Sequence, residues 1–187
     1  MKKILVTLLA IFLIGNSFET SAQRCLPGQV GLQLTGGIVD GKIESYYTGI
    51  TLSKYTRNGN KWIYGAEFLN KQTHITPFKI PLSQFTAEGG YQKTILSDRR
   101  KTFFLSMGIS GLLGYESINN GKKMLSDGSL ITDNSSFLYG GAVSLEFEAY
   151  LSSRVVLLLQ IKERYLAGSD VSNWHNQVGF GIKYILK

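Results

Sequence analysis

The stretch FLYGGAVSLEFEAYL, Phe137–Leu151, is the clearest indication of the fold, because its apolar and charged side chains alternate with a period of two. One face carries Phe137, Tyr139, Gly141, Val143, Leu145, Phe147, Ala149 and Leu151. Glu146 and Glu148 fall on the other face, among small residues. Successive side chains of a strand point to opposite faces. The stretch therefore predicts a strand that separates an apolar environment from a polar one.

The same alternation recurs along the chain and predicts about eight strands of the ten-residue class found in outer-membrane barrels. They lie near residues 28–39, 43–56, 61–72, 81–95, 101–115, 137–151, 154–166 and 174–187. Ten tyrosines, ten phenylalanines and only three prolines agree with a strand-rich chain. The predicted fold class is all-β, an antiparallel up-and-down outer-membrane β-barrel. A soluble lipocalin-like barrel, with its apolar side chains inside, is the alternative.

Ionisable residues fall on the faces that this fold turns inward. They are Lys61, Glu67, Lys71, Glu88, Glu146, Glu148, Lys162, Arg164 and Lys183. Eight strands leave an interior that side chains fill, and unpaired buried charges are costly. We therefore interpret Glu67, Glu88, Glu146, Glu148, Lys162, Arg164 and Lys183 as a structural cluster of interior ion pairs that plugs the barrel. A proton or ion path is the competing interpretation.

The N-terminus has the organisation of a secretory signal peptide. Met1-Lys2-Lys3 is basic, Ile4–Ile14 is apolar, and small residues at 20 and 22 predict cleavage after Ala22. The apolar run is shorter than the roughly 20 residues that span a bilayer. Residues 1–22 are thus a predicted signal peptide, and residues 23–187 a single barrel domain. Cys25, the only cysteine, follows Gln23-Arg24 rather than the small residue of a lipoprotein site, so we expect a partly buried free thiol.

The connections predict the orientation. Short turns at 57–60, 97–100 and 152–153 contrast with longer links at 73–80, 116–136 and 167–173. Short periplasmic turns and long external loops are typical of this class. We expect both termini in the periplasm, and the external loop 116–136 as a partner contact.

Aromatic and glycine residues add two further expectations. Interfacial girdles are predicted from Tyr46, Tyr55, Trp62, Tyr115, Tyr139, Tyr165 and Trp174. Bulges or bends are predicted at Gly36-Gly37, Gly89-Gly90 and Gly140-Gly141.

No motif points to a catalytic, cofactor or metal site. Phosphate-binding loops, dinucleotide fingerprints and paired cysteines are absent from the sequence, and no cofactor or small-molecule substrate is expected. The net charge is +7, but the cations are scattered, so nucleic acid is not an expected partner. The alternative is a lipid-modifying enzyme at the outer rim. Its candidates are His74, Asp133, Asp170, Ser172 and His175.

Several stretches resemble the TraO family of conjugative-transposon transfer proteins from Bacteroidetes. They are Gln23-Arg24-Cys25-Leu26-Pro27, Ala87-Glu88-Gly89-Gly90-Tyr91, Ser97-Asp98-Arg99-Arg100-Lys101-Thr102-Phe103-Phe104, Leu138-Tyr139-Gly140-Gly141-Ala142 and Lys162-Glu163-Arg164-Tyr165. Their order and spacing extend the resemblance over essentially the whole mature chain.

The resemblance implies an outer-membrane component or accessory of the apparatus that moves DNA between cells. It implies a structural or partner-binding protein, not an enzyme, and it brings no catalytic residues. The expected partners are outer-membrane lipid and other envelope proteins of that apparatus. A general small barrel for anchoring or adhesion is the alternative.

Overall fold

The computed structural model of the chain describes residues 25–75, 78–118, 135–169 and 173–186. The strands are β1 (Val30–Val39), β2 (Lys42–Tyr55), β3 (Lys61–Ile75), β4 (Phe78–Ser97), β5 (Phe103–Ile118), β6 (Ser135–Tyr150), β7 (Val155–Ala167) and β8 (Trp174–Ile185). No helix in these four stretches is long and apolar enough to cross a membrane. The predicted signal peptide, residues 1–22, lies outside them.

Each strand pairs antiparallel with the next, and β8 pairs with β1 to close the sheet into a barrel. At the closure, Leu34 of β1 lies opposite Ile182 of β8. A closed sheet satisfies its backbone donors and acceptors internally and has no free edge. The predicted fold class, an eight-stranded antiparallel up-and-down barrel, is confirmed.

The polarity of the barrel is that of a membrane protein. Phe147 and Val143 of β6 are 41% and 54% exposed on the outer wall, whereas Glu146 and Glu148 are each 1% exposed in the lumen. β7 shows strict alternation between outer exposed and inner buried positions. The lipocalin-like alternative is therefore wrong, because the large apolar side chains of these strands point outward.

The two ends of the barrel differ, and we name them by their connections. The turn end carries the connections 56–60, 98–102 and 151–154, together with Cys25 and Leu186 at the limits of the described chain. The loop end carries the connections 40–41, 76–77, 119–134 and 168–173.

Side chains brace two neighbouring turns at the turn end. The backbone N–H of Thr94 donates to Asn60 Oδ1 at 3.0 Å, which ties the β2–β3 turn to β4. Asp98 Oδ1 accepts from the N–H groups of Thr102 at 2.6 Å and Phe103 at 3.0 Å. An aspartate that accepts from amides a few residues ahead is a common way of fixing a turn.

Two predicted loops are shorter than expected. β3 continues to Ile75 and β4 starts at Phe78, so most of the predicted link 73–80 is a strand pair. Within that pair, Pro81 of β4 lies opposite Gln72 of β3. Of the predicted loop 116–136, residues 119–134 lie outside the described part of the chain.

Of the bulges or bends predicted at the three glycine pairs, the bulges are wrong. Among the described strand pairs, the register shifts between Ile38 and Val39 and between Thr94 and Leu96. The pairing runs through the glycine pairs without interruption.

Candidate functional site

The lumen contains a first group of ionised side chains, which we call the turn-end ion cluster: Lys61, Glu146, Glu148 and Lys183. Lys61 Nζ lies 2.6 Å from Glu146 Oε1 and 2.6 Å from Glu148 Oε1. Lys183 Nζ lies 3.3 Å from Glu146 Oε1 and also bonds Glu148. Gln33 Nε2 donates to the other oxygen of Glu146 at 3.1 Å. These contacts join β1, β3, β6 and β8 across the barrel.

A second group, the central ion cluster, consists of Glu67, Glu88, Lys162 and Arg164. Lys162 Nζ lies 2.6 Å from Glu88 Oε2 and 3.3 Å from Glu67 Oε2. Arg164 bonds the other oxygen of Glu67, and Gln177 Nε2 donates to that oxygen at 2.6 Å. Strands β3, β4, β7 and β8 are joined here in the same manner.

Each cluster contains two cations and two carboxylates, so each is electrically balanced. Moving an ion out of water costs several kcal/mol, and close partners of opposite charge offset that penalty. The structure places all seven residues of the cluster expected from sequence in the lumen: Glu67, Glu88, Glu146, Glu148, Lys162, Arg164 and Lys183. Glu146, Glu148 and Lys183 belong to the turn-end ion cluster together with Lys61, and the other four residues form the central ion cluster. Lys71 belongs to neither group, since its Nζ lies 2.6 Å from Asp40 Oδ2 at the loop end.

An apolar layer covers the turn-end ion cluster on the side of the turns. Its members are Cys25, Tyr55, Phe104, Tyr150, Val156, Leu158 and Ile185. The prediction of Tyr55 as a girdle residue is wrong, because the outward positions of β2 are the even-numbered ones from Tyr46 to Lys54. Its hydroxyl instead donates to Glu148 Oε1 at 3.1 Å.

Apolar side chains also lie on the loop-end side of the ion clusters. They form two groups, one of Leu112, Leu138, Ala142 and Leu166 and one of Val39, Tyr47 and Leu69. Along β6 the inward residues from loop end to turn end are Leu138, Gly140, Ala142, Ser144, Glu146, Glu148 and Tyr150. The charged layers are therefore enclosed between apolar ones, which shield the ion pairs from water.

Cys25 is part of the turn-end apolar layer. The thiol is 7% exposed, and its sulfur lies 3.2 Å from the Tyr150 hydroxyl. Burial raises the pKa of the thiol to about 11, although the hydrogen bond to Tyr150 acts in the opposite direction. The thiol is thus protonated at neutral pH and poorly reactive.

A polar group occupies the loop end of the lumen. Glu116 Oε2 accepts from Gln84 Nε2 at 2.7 Å and from the Ser169 hydroxyl at 2.9 Å. His175 Nε2 lies 3.4 Å from Gln84 Nε2.

This position corrects the expectation that His175 is available at an external rim. The residue is fully buried, because the inward positions of β8 are the odd-numbered ones. Of the other rim candidates, Asp133, Asp170, Ser172 and the side chain of His74 lie outside the described part of the chain. In that described part, no three His, Cys, Asp or Glu residues are grouped so that they could hold a metal ion.

The outer wall exposes large apolar side chains on every strand. One example from each strand is Leu34, Ile50, Tyr64, Phe85, Ile109, Val143, Ile161 and Phe180. Aromatic pairs mark both ends: the Tyr165 and Trp174 rings are 5.1 Å apart at the loop end, and those of Trp62 and Tyr91 are 5.0 Å apart at the turn end. Soluble monomers rarely expose apolar patches of more than a few hundred Å². A wall of this kind matches a bilayer.

A closed barrel of eight strands with an apolar wall and a filled, ion-paired lumen defines the class of small membrane-spanning β-barrels. Within that class, the chain belongs to the family of the conjugative transposon protein TraO, whose family model matches residues 26–186. No curated protein matches the chain significantly.

Two solved structures align with most of the chain. Neisserial surface protein A (NspA) aligns with a TM-score of 0.54 and 13% sequence identity, over 83% of this chain and 95% of that one. The N-terminal β-barrel domain of Pseudomonas aeruginosa OprF aligns with a TM-score of 0.44 and 11% identity, over 84% and 98% of the two chains. At this identity, the similarity to NspA concerns the fold alone.

Proposed function

We propose that the protein is an outer-membrane component of the conjugative DNA-transfer apparatus, with a structural and partner-binding role rather than a catalytic one. The observation that carries the proposal is a membrane-type barrel with a plugged lumen in a member of the conjugative-transposon TraO family. The fold supports a role as a membrane anchor, and membership of the family supports a role in conjugative DNA transfer.

The apolar wall supports insertion into a membrane, and the predicted signal peptide supports export to the outer one. With an even number of strands, both termini emerge on the same side. We assign the turn end to the periplasm and the loop end to the cell exterior, because the long predicted external loop, 116–136, joins two strands at the loop end. Residues 119–134, between β5 and β6, are our candidate for the contact with other envelope proteins.

The lumen supports a structural role for the ionised residues. Lys61 and the seven residues expected from sequence are buried in balanced clusters between apolar layers. An open path for DNA or solutes would need a water-filled channel, and eight strands leave room only for side chains. The burial of His175 also gives no support to a lipid-modifying enzyme at the rim.

Deletion and complementation test the function. Removing the gene from a donor strain should abolish or strongly reduce DNA transfer, and the intact gene should restore it. A variant with residues 120–133 replaced by a short Gly-Ser linker should reach the outer membrane but fail to restore transfer. Normal transfer after deletion would overturn the proposal. A deletion that reduces only surface adhesion would favour a general anchoring or adhesion barrel.

Single cysteines introduced into a Cys25→Ser background test the orientation. A membrane-impermeant maleimide should label Ser126→Cys in intact cells, whereas Ser152→Cys should react only after the outer membrane is permeabilised. The opposite pattern would reverse the assigned orientation without affecting the fold.

A further inference from the structure

Two lysines flank an aromatic pair on the outer wall near the turn end. Lys54 of β2 lies opposite Trp62 of β3, which lies opposite Tyr91 of β4. Lys93 follows Tyr91 by two residues on the same outward face of β4. Both lysines are exposed, and the Trp62 and Tyr91 rings meet edge to face at 5.0 Å. Adjacent strands are about 4.8 Å apart, so the lysines lie on either side of one aromatic platform.

The two lysines on this wall, Lys54 and Lys93, form no ion pair with a carboxylate of the described chain. Arg57 is exposed on the turn beside them. The neighbouring β4–β5 turn adds the exposed residues Arg99, Arg100 and Lys101. Its carboxylate, on Asp98, is engaged by backbone amides.

A shallow trough lies on the same wall, further toward the middle of the barrel. Gly89 of β4 is paired with Gly111 of β5, and Gly111 with Gly141 of β6, all on the outward face. A Cβ added at Gly89 would have no atom within 4 Å, and one at Gly111 would meet only a backbone oxygen at 4.0 Å. Neither residue has a positive φ. Packing and backbone conformation therefore do not require glycine there, and the space faces the bilayer.

We propose that this wall binds one anionic phospholipid, with its phosphate between Lys54 and Lys93 and an acyl chain along the glycine trough. The headgroup site and the trough are separated by the four residues from Lys93 to Gly89, about 13 Å along the strand, which is within the depth of one leaflet. Trp62 and Tyr91 lie at the interfacial level favoured by amphipathic rings. The inference rests on the membrane insertion in the proposed function and is independent of any role in transfer.

The position of the lysines favours a lipid over an acidic protein or a nucleic acid. Lys54 and Lys93 lie on the outward face beside the lipid-facing rings of Trp62 and Tyr91. Long cationic side chains at this level of a membrane protein extend to the lipid headgroups. A cation at this level is attracted to anionic lipid headgroups. Arg57 and the β4–β5 turn add a general attraction for negative charge.

Tryptophan quenching by brominated lipids provides the test. The chain contains two tryptophans, so Trp174→Phe leaves Trp62 as the reporter at the site and Trp62→Phe leaves Trp174 at the loop end. The mature chain is reconstituted into phosphatidylcholine vesicles that contain chain-brominated phosphatidylglycerol or, separately, chain-brominated phosphatidylcholine. We expect phosphatidylglycerol to bind next to Trp62 roughly tenfold more strongly than phosphatidylcholine, with little preference at Trp174.

Matched variants test whether the preference for phosphatidylglycerol next to Trp62 depends on the two lysines and on the trough. Lys54→Gln with Lys93→Gln should abolish it, whereas Lys42→Gln with Arg154→Gln removes the same charge elsewhere and should retain it. Gly89→Val with Gly111→Val should reduce it, since both Cβ positions are open and the new side chains fill the trough. Inorganic phosphate should not compete, because a free anion lacks the acyl chain.

Equal quenching of Trp62 by the two brominated lipids would overturn the lipid site. The same conclusion would follow if the preference survived the double lysine substitution, or if inorganic phosphate removed it. Quenching of neither tryptophan by brominated phosphatidylcholine would instead contradict membrane insertion, and with it the proposed function.

Discussion

Lys61 and Glu146 form an ion pair of 2.6 Å across the lumen, although they lie 85 residues apart in the chain. Lys61 starts β3 and Glu146 lies in β6, so the pair joins strands that are not neighbours in the sheet. Hydrogen bonds of the sheet connect only adjacent strands. The ion clusters add contacts through the middle of the barrel and fix its cross-section.

Replacing Glu146 with glutamine should destabilise the barrel strongly. The amide keeps the shape of the side chain but leaves Lys61 and Lys183 with Glu148 as their only carboxylate partner. Breaking a buried pair on one side costs about 3–5 kcal/mol. Urea unfolding in detergent, followed by tryptophan fluorescence, should show a lower midpoint.

The matched control is Glu163→Gln, which makes the same chemical change on the exposed face of β7. Glu163 lies two residues from Tyr165 of the loop-end aromatic pair, at the interfacial level that water and headgroups reach. Carboxylates exposed in this way contribute little to stability, so this variant should unfold at nearly the same urea concentration as the unmodified chain. Equal loss of stability in the two variants would show that the lumen charges do not hold the barrel together.

The sequence predicts the strands and the orientation of the wall because alternation is a local property. Phe147 and Glu146 are adjacent, and their opposite environments can be inferred without knowing which strand lies beside them. The same rule, applied to the end of β2, would have placed Tyr55 inside, since it follows the outward Lys54. The error came from assigning a tyrosine near a strand end to the interface by residue type.

The contacts inside the lumen could not be predicted in the same way. Whether Lys61 meets Glu146 or Glu67 depends on the stagger of strands that are distant in sequence, and alternation carries no information about stagger. Phe104, Leu112 and Leu138 were also missed as inward apolar residues. They interrupt faces that consist mainly of small and charged residues, and only the closed barrel shows that they form layers.

Cys25 should react slowly with maleimides in the folded protein. Its thiol is buried, and its pKa is raised to about 11 from the ordinary value of 9.0. The labelling rate should rise about tenfold per pH unit from pH 7 to 10 without a plateau, because the thiolate is the reactive form. Ser152→Cys, on an exposed turn, serves as a rapidly labelled control in a Cys25→Ser background.

The raised pKa of Cys25 should also make the stability of the protein depend on pH. Since the folded pKa exceeds the unfolded one, the contribution of the thiol is complete below about pH 9 and is lost between pH 9 and 11. The free energy of unfolding should fall more steeply over this interval in the unmodified protein than in Cys25→Ser. Parallel curves for the two proteins would contradict the burial of Cys25.

Asp98 should control the order of the β4–β5 turn. The N–H groups of Phe103 and then Thr102 hold the pKa of this carboxyl below its ordinary value of 3.8. The hydrogen bonds from these two amides to the Asp98 carboxylate are therefore at full strength above pH 3.8, and they weaken as the pH falls through the folded pKa. At neutral pH, Asp98→Ala should accelerate hydrogen exchange at the amides of Thr102 and Phe103.

Asp98→Asn is the control for that experiment, because it keeps a side-chain oxygen that can accept from the same amides. It should accelerate exchange less than Asp98→Ala does. Unchanged exchange in both variants would show that the pairing of β4 with β5 fixes the turn without the carboxylate.

The unmodified protein should not form steady large channels in planar bilayers. The ion clusters and the apolar layers fill the lumen from Tyr55 to Leu138. Conductance measurements on the reconstituted chain should show at most brief, small events. Long-lived openings of high conductance would contradict a structural plug and favour an ion path.

Two glycines, Gly140 on β6 and Gly89 on β4, should respond in opposite ways to the same substitution. A Cβ at Gly140 would overlap the carbonyl oxygen of Tyr165 on β7, whereas a Cβ at Gly89 would face open space. Gly140→Ala should therefore destabilise the barrel by about 1–3 kcal/mol, the usual range for forced overpacking. Gly89→Ala should be neutral or stabilising by up to about 1 kcal/mol, because alanine reduces the freedom of the unfolded chain. Urea midpoints of the two variants, measured in the same detergent, provide the comparison. Equal midpoints would mean that β6 and β7 can separate at Gly140, and the close approach of these strands would then not be a constraint on the barrel.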